Sequence, residues 1–325
     1  MANLIKEKIL IALADGQFVS GESLGERFGI SRAAVSKHIK GIGELGIDVF
    51  RVSGKGYRLA QPINMLDKRQ ILTHIDQAYS DTIIDTNVLI DSTNSELMRR
   101  IPSQLTRGQV CIAECQSAGR GRRGREWVSP FGSHVYMSMY WYLEQGMSAA
   151  MGLSMVTALA ISDAIKSLYD IDVGLKWPND IYLKGVKLAG ILIELEGQAL
   201  DPCHCVIGLG VNVDMPNNVT DKIDQQWTDL QSHVNKIIDR NQLAACIISK
   251  LRNRIFQHER SGLVDMIEDW QARDQFINQP VKLITGVNET HGICRGINSQ
   301  GALLLEVDNK IQPIYGGEVS LRGLA

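Results

Sequence analysis

The sequence has little of what marks a membrane or secreted protein. No apolar run in its 325 residues approaches the roughly 20 residues of a membrane-spanning helix. Lys6, Glu7 and Lys8 interrupt the first apolar stretch, which is untypical of a signal peptide. We therefore expect a cytoplasmic protein with no membrane partner.

Cysteine is also scarce, and its spacing does not match that of a cofactor site. The chain has six cysteines without the pattern of a small disulfide-linked domain. Cys111 and Cys115, and the run from Cys203 to Cys205, lack the paired CxxC spacing of a zinc site. We expect ordinary cysteines in strands.

Neither sign of charge dominates the chain, because 34 Lys+Arg face 36 Asp+Glu. The first sixty residues differ, with nine Lys+Arg against six Asp+Glu. In this basic segment, Ser20 can cap a short helix that Gly29 ends, and Ser31 can cap a second helix. A hairpin around the sequence SGKG follows. This order predicts a winged helix-turn-helix that binds DNA; a small helical protein-docking domain is the alternative.

The predicted DNA contacts lie on the polar face of the second helix and on the hairpin. They are Ser31, Arg32, Ser36, Lys37, Lys40 and Lys55. Two apolar stripes at helical spacing are expected to face the core of this domain. They are Leu4, Ile5, Ile9, Leu10 and Leu13 in a helix at the start of the chain, and Val35, Ile39 and Ile42 in the helix capped by Ser31, which we call the reading helix.

Two further parts follow a linker that begins at Pro62. Residues 66–272 alternate long apolar helices with buried strands, which predicts an α+β domain with a mixed sheet. Residues 275–325 contain short strands separated by Gly and Asn turns, which is typical of a small SH3-like β-barrel. We predict an α/β multidomain fold with domains at 1–62, 66–272 and 275–325.

The most concentrated positive charge is the stretch GRGRRGREW at residues 119–127, between two strand-like segments. Glycine gives the backbone freedom and arginine supplies forked donors, which favours a loop around a phosphate-bearing ligand. Contact with nucleic acid and a solvated loop without a role are the alternatives. In a later predicted strand, Gly208 and Gly210 share one face, which often marks close approach of a ligand or another backbone.

Taken together, the motifs resemble those of the biotin protein ligases that also act as repressors of the biotin operon. The resemblance covers nearly the whole chain. Its motifs are, in order, SRAAVSKHI, VSGKGYRL, DSTN, ECQSAGRGRRGREW, KWPND, KLAGILIE, GLGVNV and GGEVSLR. The order GRGR, KWPND, KLAGI is highly specific. The resemblance also implies a central domain of the class II synthetase-like ligase type.

The resemblance implies a two-step reaction and a regulatory role. Biotin and ATP would form biotinyl-5'-AMP with the help of Mg²⁺, and the biotinyl group would pass to a lysine in the biotin carrier domain of acetyl-CoA carboxylase. With biotinyl-5'-AMP as corepressor, the protein would form a homodimer and bind operator DNA. Joining two anions requires cationic side chains, which the arginine-rich stretch can supply.

The resemblance also assigns roles to individual residues. Lys187 and Arg122 would be catalytic, and Asp180 would be the carboxylate nearest Mg²⁺, although WPND is equally suited to a tight turn. The biotin contacts would be Ser92, Thr93, Asn94, Gln116, Gly119, Arg120, Gly121, Arg122 and Lys187. The nucleotide contacts would be Arg122, Trp127, Asn179, Lys187, Asn212 and Arg322.

One position departs from the pattern, since Glu126 stands where a basic residue is expected and leaves the loop one positive charge weaker. Two other functions remain open at this point. One is a biotin-sensing transcriptional regulator without catalysis, and the other is a protein ligase for lipoate or another acyl acid. Retention of Lys187, Arg122 and KWPND argues against the first, and the winged domain with the arginine-rich loop argues against the second.

Overall fold

The computed structural model describes residues 2–43, 46–103, 105–144, 146–197, 201–216, 223, 225–285, 287–315 and 319–323. The N-terminal part contains helices α1 (Ala2–Leu13), α2 (Gly21–Phe28) and α3 (Arg32–Gly43), followed by the hairpin β1 (Val49–Val52) and β2 (Gly56–Leu59). This is the predicted winged helix-turn-helix arrangement.

Local capping explains where the helices of this part begin and end. The Ser20 side chain accepts a hydrogen bond from Ser23 N–H, and α2 ends at Gly29 with φ +66°. The Ser31 hydroxyl accepts from Ala34 N–H at 3.2 Å. Of the predicted stripes, Ile9, Leu10, Leu13, Val35 and Ile42 are buried, whereas Leu4 is 52% exposed, so its assignment to the core was wrong.

The central part is built on one seven-stranded mixed sheet. Its strands are β3 (Ile84–Asn87), β4 (Val110–Ala113), β5 (Val135–Leu143), β6 (Gly174–Lys176), β7 (Asp180–Leu183), β8 (Val186–Glu196) and β9 (Cys203–Val211). Their order is β3-β4-β5-β9-β8-β7-β6. Only the first neighbouring pair, β3 and β4, is parallel. The WPND motif contains the tight turn between strands β6 and β7, and the residues on either side of it belong to these two short strands.

Helices cover the sheet and bury most of its apolar side chains. They are α4 (Lys68–His74), α5 (Thr93–Arg100), α6 (Leu153–Tyr169), α7 (Arg240–Ser261) and α8 (Ile267–Gln271). The core contains the fully buried Trp141 and Trp270 together with the apolar faces of α6 and α7. Cys111 and Cys205 are buried in strands β4 and β9. Within the described ranges, none of the helices is both long and apolar enough to cross a membrane.

The C-terminal part is a five-stranded antiparallel sheet. Its strands are β10 (Pro280–Thr285), β11 (Asn288–Ile297), β12 (Leu303–Val307), β13 (Lys310–Ile314) and β14 (Val319–Gly323). The order is β13-β12-β11-β10-β14, and in the described part of the chain the two edge strands do not pair with each other. The predicted short strands are present, but the sheet is open where a closed SH3-like barrel was expected.

Residues 63–67 between the winged part and the central part are held by a buried polar cluster that we call the linker clamp: Glu114, Arg240 and Asn241. The Arg240 Nη2 lies 2.8 Å from the Glu114 Oε2, and the two side chains are 4% and 2% exposed. Asn241 Nδ2 donates to Met65 O at 3.0 Å, and Asp67 N–H donates to Asn241 Oδ1 at 2.8 Å. These contacts tie the linker to the central part, so the linker is a fixed element.

Candidate functional site

A cavity of about 430 Å³ opens on the sheet between β8, β9 and the arginine-rich stretch. Its wall combines segments that are far apart in sequence. The predicted site residues that line it are Ser92, Thr93, Asn94, Gln116, Arg120, Gly121, Arg122, Trp127, Asn179, Asp180, Lys187 and Asn212. Two predicted residues do not line it: Gly119 is buried behind it, and Arg322 is exposed on β14 beside the lining residue Leu321.

Two glycines form a flat floor at one end of the cavity. Gly190 of β8 and Gly210 of β9 are direct cross-strand partners. A Cβ at Gly210 would lie 2.6 Å from Trp127 Cε2, and a Cβ at Gly190 would lie 2.8 Å from Trp127 Cζ3. The indole therefore rests on bare backbone. The close approach foreseen at Gly210 is real, and what approaches is a side chain of the same protein.

A third glycine creates room for the polar end of the cavity. A Cβ at Gly208 would lie 2.1 Å from Asn94 Oδ1. That oxygen also lies 2.5 Å from the Ser138 hydroxyl, which donates to it. Ser92 caps α5 by accepting from Ser95 N–H, so Thr93 and Asn94 occupy the first turn of that helix. Capping of α5 by Ser92 is thus compatible with the biotin contacts predicted for these residues.

Gln116 ties this end of the cavity to the base of the arginine-rich stretch. Its Oε1 accepts from Thr93 N–H at 2.9 Å, and its Nε2 donates to the Ser129 hydroxyl at 3.1 Å. The Ser129 hydroxyl donates in turn to Trp127 O at 2.9 Å. These bonds fix the orientation of the Gln116 amide, which the ligand-facing role requires.

The predicted catalytic residues Lys187 and Arg122 both line the cavity. Lys187 Nζ lies 2.8 Å from Asp180 Oδ1 and 5.6 Å from the centre of a Trp127 ring. Arg122 Nη1 donates to Asn179 Oδ1 at 2.9 Å. Burial lowers the pKa of Arg122, and the charge of the Asp180 carboxylate partly offsets this shift. A cationic pair is therefore held partly out of water, where it attracts anions more strongly.

The arginine-rich stretch forms a hairpin over this cavity. Gly121 N–H donates to Arg125 O at 2.8 Å, and Trp127 N–H donates to Gly119 O at 2.9 Å. The two central residues of its turn, Arg123 and Gly124, have φ +60° and +69°. Positive φ at both central positions is the geometry of a tight type I′ turn, which explains the glycine. Glu126, which stands where a basic residue was expected, forms an antiparallel backbone bridge with Arg120 across this hairpin. The departure therefore lies in the paired part of the hairpin.

Lys176 and Gly190 are among the lining residues that lie outside the predicted set. Lys176 opens the KWPND motif and donates to the Tyr182 hydroxyl at 2.9 Å. Burial lowers its pKa. Gly190 lies in the quoted KLAGILIE motif, yet nothing local showed that it would face the cavity. Pairing between strands was needed to identify which members of the motif face the cavity.

Metal ligands are sparse around the cavity. Across the described ranges, no group of three or more His, Cys, Asp and Glu side chains is placed to hold a metal ion. Asp180 and Glu126 are the two carboxylates among the described lining residues, and Asp180 is the one predicted to lie nearest the metal. Such a site suits a cation whose other ligands are substrate phosphates and water, as is usual for Mg²⁺.

The residues predicted to contact DNA form a second candidate site. Arg32, Lys37, Lys40 and Lys55 are exposed, Ser36 is partly exposed, and Ser31 is exposed while it caps α3. The Arg58 guanidinium carbon lies 5.1 Å from the Phe18 ring centre and 5.5 Å from that of Phe50, which stiffens the hairpin. A basic helix face and a basic hairpin thus project into solvent.

Three family models match the chain in the order of its three parts. A helix-turn-helix domain matches residues 6–58, the biotin/lipoate A/B protein ligase family matches 87–212, and the biotin protein ligase C-terminal domain matches 276–322. Fold and site therefore define a protein ligase of the biotin/lipoate class with a helix-turn-helix domain before it.

Relatives narrow this class to one family. The chain is 49% identical over 314 residues to the bifunctional ligase/repressor BirA of Salmonella typhimurium, covering 97% of this chain and 96% of that protein. It is 48% identical over 321 residues to the bifunctional ligase/repressor BirA of Escherichia coli, covering 98% of each. The chain belongs to this bifunctional ligase/repressor family.

A solved structure agrees with this assignment. The biotin protein ligase from Aquifex aeolicus in complex with biotin and ATP is similar at a TM-score of 0.65 and 25% identity. The match covers 74% of this chain and 99% of that one.

Proposed function

We propose that this protein is an ATP-dependent biotin protein ligase that also represses transcription, with biotinyl-5'-AMP as both intermediate and corepressor. One observation carries the proposal. Side chains assigned to biotin and to the nucleotide, from separate segments of the chain, converge on one cavity with Lys187 and Arg122 between them. The basic face of α3 supplies the surface for operator DNA.

In the first step the biotin carboxylate attacks the α-phosphate of ATP and pyrophosphate leaves. Lys187 and Arg122 offset the repulsion between the two anions, and both are held in place by neighbours, Asp180 and Asn179. Bound Mg²⁺ supplies further charge neutralisation at the phosphates, with Asp180 as the side chain that would hold it.

We assign the two ends of the cavity to the two substrates. Ser92, Thr93, Asn94 and Gln116 offer fixed donors and acceptors to the ureido head of biotin, together with Arg120 and Gly121. Gly119 does not line the cavity and would act through its carbonyl, which accepts from Trp127 N–H. Trp127 would stack on the adenine; its Nε1 is buried and has no hydrogen-bond acceptor within the described ranges. Asn179, Asn212 and Arg322 would lie toward the nucleotide.

The hairpin of residues 119–127 retains the adenylate. A mixed anhydride hydrolyses when water reaches it, so a cover over the cavity protects the intermediate. Substituting Arg122→Gly should raise the rate of biotinyl-5'-AMP dissociation, because it removes the guanidinium that faces the phosphate. An unchanged dissociation rate in a stopped-flow measurement would remove the retention role.

In the second step the amine of a lysine in the carrier domain of acetyl-CoA carboxylase attacks the acyl carbon, and AMP leaves. The new bond is an amide, and no further cofactor takes part. The same adenylate-bound form would become a homodimer and occupy the operator. For this, biotinyl-5'-AMP must bind the dimer more tightly than the monomer, since a ligand shifts an equilibrium only through different affinities for its two states. These partners place the protein in the cytoplasm.

If carrier and second protomer use one surface, they compete. Saturating apo-carrier should then reduce operator occupancy in a DNA-binding assay. Occupancy that does not change would show that the two surfaces are separate.

The finer features of the fold belong to the same proposal. We assign the domains to 1–62, 66–272 and 275–325 and the central one to the class II synthetase-like ligase type; the last one has the short antiparallel strands of an SH3-like fold, and its edge strands do not pair within the described residues.

The deciding experiment is ATP–pyrophosphate exchange by the purified protein with Mg²⁺ and with biotin, lipoate or no acid. Exchange with biotin alone establishes the ligase and its substrate. Exchange with lipoate would assign the cavity to another acyl acid. Tight biotin binding without exchange would make the protein a biotin-sensing regulator without catalysis.

A further inference from the structure

Glu194 on β8 lies behind the cavity wall and contacts two residues of that wall. Its carboxylate oxygens lie 2.9 and 2.7 Å from Arg120 Nη2. One of them also accepts from Asn94 Nδ2 at 2.7 Å. The carboxylate itself does not line the cavity. It therefore joins two predicted biotin contacts that come from different parts of the chain.

The contact with Arg120 fixes the base of the hairpin. Arg120 pairs with Glu126 across the hairpin, and its guanidinium reaches both Glu194 and the hydroxyl of Ser95 on α5. A charged acceptor holds a guanidinium more strongly than a neutral one does. The start of the hairpin is thus attached to β8 and to α5 by one side chain.

The contact with Asn94 fixes the orientation of an amide. Asn94 Nδ2 donates to Glu194 and, at 3.3 Å, to Leu192 O, while Oδ1 receives the hydroxyl of Ser138. A carboxylate accepts and does not donate when ionised, so it selects the amide orientation with nitrogen toward β8. Leu192 O favours the same orientation through its longer hydrogen bond, so losing the carboxylate would weaken this preference.

We propose that Glu194 is a positioning residue for biotin, acting through Arg120 and Asn94. The proposal rests on the proposed ligase function. Arg120 and Glu194 have side chains 41% and 29% exposed, and exposed pairs of this kind contribute little to unfolding stability. The role of Glu194 should therefore appear in biotin binding and leave the nucleotide end unchanged.

The test compares Glu194→Gln with Glu196→Gln. Glu196 is two residues further along β8 on the same face and is exposed, and no hydrogen bond or ion pair involves its side chain in the described ranges. We expect Glu194→Gln to raise the KM for biotin in pyrophosphate exchange about tenfold, as when a charge-assisted hydrogen bond becomes neutral. The KM for ATP and the urea unfolding midpoint should stay unchanged, and Glu196→Gln should match wild type.

A double-mutant cycle tests the route through Arg120. Arg120→Gln alone should raise the biotin KM, and adding Glu194→Gln should raise it by clearly less than Glu194→Gln does in wild type. Equal effects in both backgrounds, equal rises in both KM values, or no difference from Glu196→Gln would overturn the proposal.

Biotin affinity measured by calorimetry provides a readout that does not depend on catalysis. If wild type showed no exchange, the ligase function would fail, while a weaker biotin Kd in Glu194→Gln would still support positioning. Should Glu194→Gln fail to fold, Glu194→Asp keeps the charge and shortens the reach. A biotin Kd equal to wild type in Glu194→Asp would then overturn the proposal.

Discussion

Gly208 and Gly210 lie two residues apart on one face of β9, and substituting alanine at each should weaken the binding of a different substrate. At Gly210 the added Cβ would contact the Trp127 ring at 2.6 Å, whereas ordinary contacts begin at 3.4 Å. The indole must therefore move by about 0.8 Å, the difference between these distances. The added Cβ would lie beneath the ring, which rests on Gly190 and Gly210, so the ring must move away from the sheet and into the cavity.

The expected magnitude follows from the cost of overpacking. Inserting a methyl group into a packed site costs roughly 1–3 kcal/mol, which corresponds to about 5- to 150-fold in an equilibrium constant. For Gly210→Ala we expect a rise of this order in the KM for ATP, because Trp127 is the proposed adenine platform. For Gly208→Ala we expect the rise in the KM for biotin, because its Cβ would lie 2.1 Å from Asn94 Oδ1.

Pyrophosphate exchange with each substrate varied in turn measures both constants for both variants. Gly43→Ala is the control, because a Cβ there meets nothing within 4 Å and the residue ends α3 in the DNA-binding part. Unfolding midpoints show whether either variant has lost stability more generally. The reasoning is refuted if both variants raise the same KM, or if the two effects are exchanged.

Three further predictions concern stability and DNA binding. Burial lowers the pKa of His134 from its ordinary value of 6.5 to about 3, so the unfolded chain binds the proton more readily and stability should fall as pH drops from about 6.5 toward 3. His134→Asn keeps an acceptor for Val213 N–H, and the loss between pH 7 and pH 5 in urea unfolding should shrink in that variant. Arg240→Ala leaves Glu114 buried without its partner and should cost about 3–5 kcal/mol in urea unfolding; a loss below ~1 kcal/mol would contradict this. Lys37→Ala should weaken operator binding and reduce the slope of log K against log salt by about 0.9, with pyrophosphate exchange unchanged; an unchanged slope would mean that Lys37 makes no phosphate contact.

Local pattern was sufficient where short-range physics decides the structure. The caps at Ser20 and Ser31, the turn at Gly29 and the hairpin after α3 follow from neighbouring residues, and the structure has them all. Leu4 fits the same helical period yet is exposed, because periodicity does not reveal how far a neighbouring element extends over a helix.

The site depended on contacts that no local pattern contains. Trp127 and Gly210 are far apart in sequence, and only the register of β8 with β9 reveals that Gly190 completes the floor. Glu194 likewise stands in a quoted motif, but its partners come from α5 and from the hairpin. Closure of the C-terminal sheet could not be deduced from short strands with turns, since an open sheet has the same pattern.

The linker clamp has a consequence for how two copies of the protein would read DNA. A flexible tether would let two reading helices adjust to half-sites at different separations. Here Arg240 and Asn241 hold residues 63–67, and Ile63 N–H donates to Ala14 O at 2.8 Å, so each reading helix follows its own ligase part. In the dimer that we propose, the protein would then accept only one distance between half-sites, and inserting one base pair between them should abolish binding.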